Sequence, residues 1–267
     1  MTYHDFAVEL VRKAGEHLKK VRPELLDITF KEDDPRNLLT NADIEIDQMM
    51  HEQILQAFPD HRIYSEEDAS AKQADAVGFV WTLDPIDGTS NFSRGLPLFS
   101  SCATLLENGV PIVGAIYSPI MDELYSFDVH TGAFLNGRPI KTSSITELSK
   151  ATGLLHIGRK EPLWNWGLAV KRSFLESLSK SKDFAASALE MAFLAAGRVD
   201  IVVYGTFSSQ DMAGAIGLVR AAGGEVYNMQ GAPVAITPVS QTIVATANKE
   251  LFEKILPLLH RDLLLQS

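Results

Sequence analysis

At 267 residues, 46% of them hydrophobic and 22% charged, the chain has the composition of an ordinary globular protein, long enough for one large domain or two closely packed layers on a shared core. Acidic residues outnumber basic ones 34 to 24, a formal net charge of −10, which argues against a general nucleic-acid-binding surface. The single cysteine, Cys102, excludes a disulfide framework within the chain and points to a reducing cytoplasm. No apolar run reaches the length of a membrane span, and the seven histidines are scattered without the spacing of a zinc site.

Phe6, Leu10, Val11, Ala14 and Leu18 recur at helical spacing, so the first twenty residues read as a polar amphipathic helix and not as a signal peptide. Leu25 to Phe30 alternates as a strand, and the charged, proline-containing run from Lys31 to Asn37 reads as a loop. A helical pattern then runs from Ile44 to Phe58, with Thr40 or Asn41 as N-cap. Asp43 falls in its first turn, where the helix dipole favours an anion. Arg62 to Ser65 forms a short strand leading into Glu66, Glu67 and Asp68, a run of acids that also reads as a solvated charge cluster.

The apolar run from Val77 to Leu83 predicts a buried strand that delivers Asp84 to its end, where Pro85 stops the ladder and Gly88 permits a sharp reversal. Asp84 and Asp87 leave that strand end together, three residues apart. Their mutual repulsion asks for a cation between them. Gly88, Thr89 and Ser90 offer backbone N–H groups and hydroxyls suited to a phosphate. The same string is also good turn chemistry and nothing more.

Phe99 to Glu107, Val110 to Tyr117 and Leu124 to Phe127 read as successive strands, with Asn108-Gly109 and Asn136-Gly137 as hairpin turns. The Ser- and Thr-rich stretch from Lys141 to Lys150 divides the chain into an N-terminal half, residues 1–140, and a C-terminal half, 141–267, packed as one compact unit. A strand near Thr152 to His156 and a helix from Trp164 to Leu178 open the second half. Ala185 to Ala196, small and apolar on every face, predicts a buried helix that Gly197 terminates. Asp211 falls in the first turn of another small-residue helix closing at Gly223-Gly224, where it reads equally well as a capping carboxylate.

Asp84-Pro85-Ile86-Asp87-Gly88-Thr89-Ser90-Asn91-Phe92 resembles the signature of the inositol monophosphatase family, magnesium-dependent and lithium-sensitive phosphomonoesterases. The likeness extends from Thr40 to Gly224. Thr40 and Asp43 resemble the family's Val-Thr-x-x-Asp string, Ser65-Glu66-Glu67 its Gly-Glu-Glu string, and Lys31 lies near the start of its lysine loop. Ala185-Ala186-Ser187 stands at its Gly-Ser-Ala substrate element, and Asp211 at the Asp of its Trp-Asp-x-Ala element.

The resemblance implies the αβαβα sandwich shared with fructose-1,6-bisphosphatases, an α+β layering of mixed, largely antiparallel sheets, commonly assembled as a homodimer. It implies two or three Mg2+ ions held by Glu66, Asp84, the Ile86 carbonyl, Asp87 and Asp211, hard oxygen donors suited to Mg2+. Asp43 and Thr89, with Glu66, would activate the attacking water, and Asp87, Gly88, Thr89, Ala185, Ala186, Ser187, Tyr204 and Asp211 would bind a small phosphomonoester. Ser65, Ala185 and Gln210 replace the usual Gly, Gly and Trp. Tyr204 stands where inositol-specific members tend to carry a Glu that reads ring hydroxyls. Hydrolysis of fructose 1,6-bisphosphate, histidinol phosphate or a 3′-nucleotide is the alternative within the superfamily. A regulatory binding protein with a vestigial site is the alternative outside it.

Overall fold

A computed structural model describes residues 1–21, 24, 26–30, 38–67, 77–157, 163–237 and 239–260. Lys31, the charged loop after it and Asp68 lie outside the described residues. Helix α1 (Tyr3–Leu18) starts on a reciprocal cap between Thr2 and Asp5, which satisfies two otherwise orphaned N–H groups. Strands β1 (Ile28–Phe30) and β2 (Leu38–Thr40) pair antiparallel, so a strand stands where the sequence suggested only the approach to a helix. Thr40 is the N-cap of α2 (Asn41–Ala57).

The larger sheet has seven strands in sequence order: β3 (Arg62–Ser65), β4 (Phe79–Asp87), β5 (Ser100–Glu107), β6 (Val110–Ser118), β7 (Glu123–Asp128), β8 (Gly132–Leu135) and β9 (Arg138–Pro139). Only the β3–β4 pair is parallel. The Asn108-Gly109 and Asn136-Gly137 turns have positive φ at both residues, the geometry that closes a two-residue hairpin in step with strand twist.

The strand that carries the aspartates does not end at Asp84 but runs to Asp87. Asp84 pairs with Cys102 and Asp87 with Ser100, so Pro85 and Ile86 oppose Ser101 alone. A bulge needs no ladder donor from its extra residue, which is how a proline fits within the strand. Ser101 donates to the Pro85 carbonyl at 2.6 Å.

After a 3₁₀ turn at Leu148–Lys150 come β10 (Thr152–His156), α4 (Leu163–Ser177), β11 (Lys180–Lys182), α5 (Ser187–Ala195), β12 (Ile201–Ser208), α6 (Ala213–Ala221), β13 (Glu225–Tyr227), β14 (Ser240–Thr246) and α7 (Lys249–His260). The second sheet is ordered β11-β10-β12-β14-β13, parallel across β11-β10-β12 and antiparallel beyond.

Three apolar clusters show the layering. Helices α1 and α2 bury Leu10, Val11, Ile46 and Met50 against one face of the large sheet with Trp81 and Leu105. Its other face, through Ile116, Tyr125 and Phe127, meets α5 and α6, whose far sides contact Val202 and Ile243 of the second sheet. Helices α4 and α7 cover that sheet's outer face through Phe174, Val203, Leu251 and Ile255. The order is helix, sheet, helix, sheet, helix, and the two middle helices are apolar on most sides, Glu190 and Arg220 excepted, because both faces are covered.

Candidate active site

The bulged end of β4 and the N-terminus of α5 meet at a cavity of about 250 Å³, near the small end of ligand pockets, which run about 300–1,000 Å³. Ten of the twelve residues singled out in the sequence line it: Glu66, Asp84, Ile86, Asp87, Gly88, Thr89, Ala185, Ala186, Ser187 and Tyr204. Asp43 and Asp211 do not. No Lys or Arg lines it among the described residues.

Asp87 is the join between the two halves of the site. It is 4% exposed and its carboxylate accepts from Ser100 Oγ at 3.1 Å, Ser187 Oγ at 3.0 Å and the Leu189 N–H at 3.1 Å. The last two donors stand in the first turn of α5, where an anion is favoured. Burial pushes the Asp87 carboxyl above its usual range, opposed by these hydrogen bonds. Gly88 has φ +86, and a Cβ there would come within 2.9 Å of the Leu98 carbonyl, so this turn needs glycine on both counts.

Asp43 caps α2 and also lies beside Thr89. Its Oδ2 accepts from Thr40 N–H at 2.8 Å and Thr40 Oγ at 2.6 Å as the cap of α2. Its Oδ1 lies 3.4 Å from Thr89 Oγ, which donates at 2.9 Å to the Ile86 carbonyl. One hydroxyl thus stands between the cap carboxylate and the bulge carbonyl.

Asp211 is not in the first turn of α6, as the sequence suggested, but just ahead of it, with Met212 as N-cap. Its Oδ1 accepts from Tyr64 Oη at 2.7 Å. Tyr64, 3% exposed, went unmarked in the sequence, where it reads as an ordinary strand residue. Burial, then the neighbouring Asp211 carboxylate, raise its pKa and keep the phenol protonated. Ser65, in place of the expected Gly, donates to Asp47 and accepts from the Glu67 N–H, so it braces the turn that presents Glu66.

Ala185 has φ +53, the left-handed backbone that explains why Gly is usual there. The loop it belongs to is clamped by Asn91, whose two amide protons go to the Leu98 carbonyl at 2.8 Å and the Phe184 carbonyl at 2.7 Å. Four more pocket residues were missed: Leu38, His156, Phe207 and Glu190. Glu190 had a signal, an acid inside an otherwise apolar helix. It is 2% exposed, and burial pushes its carboxyl up to about 7.

The carboxylates and the Ile86 carbonyl are hard oxygen donors, three of them from the bulged end of β4, the chemistry of a Mg2+ site. No three acidic, histidine or cysteine side chains among the described residues converge on one point. Glu66, Asp84 and Asp87 line one cavity, where their like charges repel.

The profile described as the inositol monophosphatase family matches residues 2–263. The chain is 31% identical over 227 residues to an inositol-1-monophosphatase of Mesorhizobium japonicum, with 84% of each chain covered. It is 32% identical over 233 residues to a fructose-1,6-bisphosphatase/inositol-1-monophosphatase of Thermotoga maritima, covering 85% of each. A solved Thermotoga maritima IMPase superposes with a TM-score of 0.87 over 98% of both chains at 26% identity.

Proposed function

The chain belongs to the inositol monophosphatase family, and from that premise we propose a Mg2+-dependent phosphomonoesterase that hydrolyses inositol-1-phosphate or a related small sugar or alcohol phosphate. The observation that carries this reading is the single cavity lined by Glu66, Asp84, Asp87 and Thr89 together with the first turn of α5. When bound, Mg2+ lowers the pKa of water, screens the phosphate's charge and stabilises the leaving alkoxide. Glu66, Asp84, the Ile86 carbonyl, Asp87 and Asp211 would hold it.

The chain's own contribution is placement and proton handling. Thr89 Oγ takes a hydrogen bond from the attacking water while passing its own proton toward Asp43, whose other oxygen stays fixed by Thr40. That leaves Asp43 rigid and oriented, the condition for general-base assistance. Ser187 and the α5 N-terminus keep Asp87 in place. Water attacks phosphorus in line and the alcohol leaves from the opposite side. A homodimer in the cytoplasm belongs to the same reading, by family likeness.

The test is phosphate release from a panel of inositol-1-phosphate, fructose 1,6-bisphosphate, histidinol phosphate and adenosine 3′,5′-bisphosphate. Release is expected with Mg2+, absent in excess chelator and restored by readdition. Full turnover in chelator, or none on any ester with Mg2+, overturns the reading.

A further inference from the structure

Part of the cavity's lining is aromatic, and the strand geometry makes it so. His156 of β10 is in register with Tyr204 of β12. Strict alternation would send Phe207 to the opposite face from Tyr204. The β12–β14 register shifts between those two residues, and the irregularity returns Phe207 to the same side. The three rings close on one another: Tyr204 to Phe207 at 4.9 Å, His156 to Phe207 at 5.6 Å and 79°, His156 to Tyr204 at 6.2 Å. All three line the pocket, with His156 and Phe207 half-buried and Tyr204 1% exposed.

The phenol and the acid beside these rings are engaged within the protein. Tyr204 Oη lies 2.9 Å from the Ser187 carbonyl and 2.8 Å from Glu190 Oε2. Glu190 Oε1 accepts from the Phe184 N–H at 2.7 Å. The phenol is therefore locked by its hydroxyl, and the acid beside it has a partner on each oxygen. A polyol brought here would bury hydroxyls against ring faces, with the Tyr204 hydroxyl and the Glu190 carboxyl already committed, which is penalised. A flat ring would meet faces and edges of other rings, the arrangement aromatic groups favour.

We propose that the alcohol of the preferred substrate carries a planar aromatic ring, as nucleosides do, and that His156, Phe207 and the Tyr204–Glu190 pair select it over a saturated polyol. The inference rests on the phosphomonoesterase reading and narrows its substrate class. Phe207 and His156 present the ring surface; Glu190 acts through Tyr204 as a positioning residue.

A matched pair of esters tests it: 2-phenylethyl phosphate and 2-cyclohexylethyl phosphate, whose leaving alkoxides are of similar basicity while only the first is flat. With Mg2+, kcat/KM for the phenyl ester should exceed that for the cyclohexyl ester on the order of 3- to 10-fold, the difference lying in KM, and should exceed that for inositol-1-phosphate. Phe207→Leu, which keeps an apolar side chain and removes the flat one, should bring the phenyl-to-cyclohexyl ratio close to one. Equal or inverted rates in the wild type, a ratio untouched by Phe207→Leu, or turnover of inositol-1-phosphate alone overturns the inference. If no ester is hydrolysed, the phosphatase reading fails by itself. Dissociation constants of the two esters from calorimetry then decide the ring preference by the same ratio.

Discussion

Thr89 and Ala185 show how single residues carry the site. Thr89 has one proton and two acceptors, the Ile86 carbonyl and Asp43, so in the proposed mechanism its hydroxyl links the water to the buried cap. Thr89→Ala should lower kcat by a factor on the order of 10² to 10⁴ with little change in Mg2+ affinity; an unchanged kcat removes Thr89 and Asp43 from water activation. Ala185 holds a left-handed φ of +53, which costs an L-residue about 1–2 kcal/mol. Ala185→Gly relieves that strain and gives back about 0.4–1 kcal/mol through the more flexible unfolded chain. The variant should be more stable by roughly 0.5–1 kcal/mol. A urea midpoint that falls at unchanged slope would contradict this account of the loop.

At the scale of elements, α5 is held to β12 and to the loop before it by one buried acid. Glu190 takes hydrogen bonds from Tyr204 and the Phe184 N–H in a setting where burial raises its carboxyl from the usual 4.5 to about 7. Asp183 and Asp87 push in the same direction. The unfolded chain gives up this proton first, so the stability tied to the neutral acid is fully present below about 4.5 and is lost as pH rises through about 7. In metal-free protein the wild type should therefore lose stability relative to Glu190→Gln across that window, by on the order of 3 kcal/mol at most. Parallel curves for the two proteins from pH 4.5 to 8 would place no proton on Glu190.

What the sequence disclosed divides along the same line. The Asp84 to Phe92 string and the Thr40–Asp43 cap are local, so residue type and spacing were enough to mark them. The strand end was misjudged because Pro85 and Ile86 oppose one residue of β5, and a bulge has no local signature here beyond the proline itself. Tyr64 with Asp211 joins residues 147 positions apart, and Tyr204 with Glu190 joins a strand to a helix. Such pairs appear only when the layers stack. Tyr204 was marked in sequence as a change of reader; that its hydroxyl is tied inward was not visible there.

For the whole molecule, the consequence of this layering is that the acids proposed to hold the metal come from both sheets. Glu66, Asp84 and Asp87 ride on the seven-stranded sheet, while Asp211 follows β12 of the other sheet and reaches back to Tyr64 of β3. Divalent cation bound among them would bind the folded state and not the unfolded chain, which has no such assembly, so it adds directly to global stability. At a Mg2+ concentration a hundredfold above its dissociation constant the gain is about 3 kcal/mol, which for a chain of this size raises Tm by roughly 5–10 °C. Asp84→Asn removes one negative charge from the cluster, so in chelator it should melt at the wild-type temperature or slightly above, and Mg2+ should then shift it little. Calorimetric melting of both proteins with and without Mg2+ checks the pair of expectations together. An equal Mg2+ shift in Asp84→Asn, or no shift in the wild type at concentrations that support turnover, would mean that the bulge acids do not hold the metal and that β4 ends in a turn and not a site.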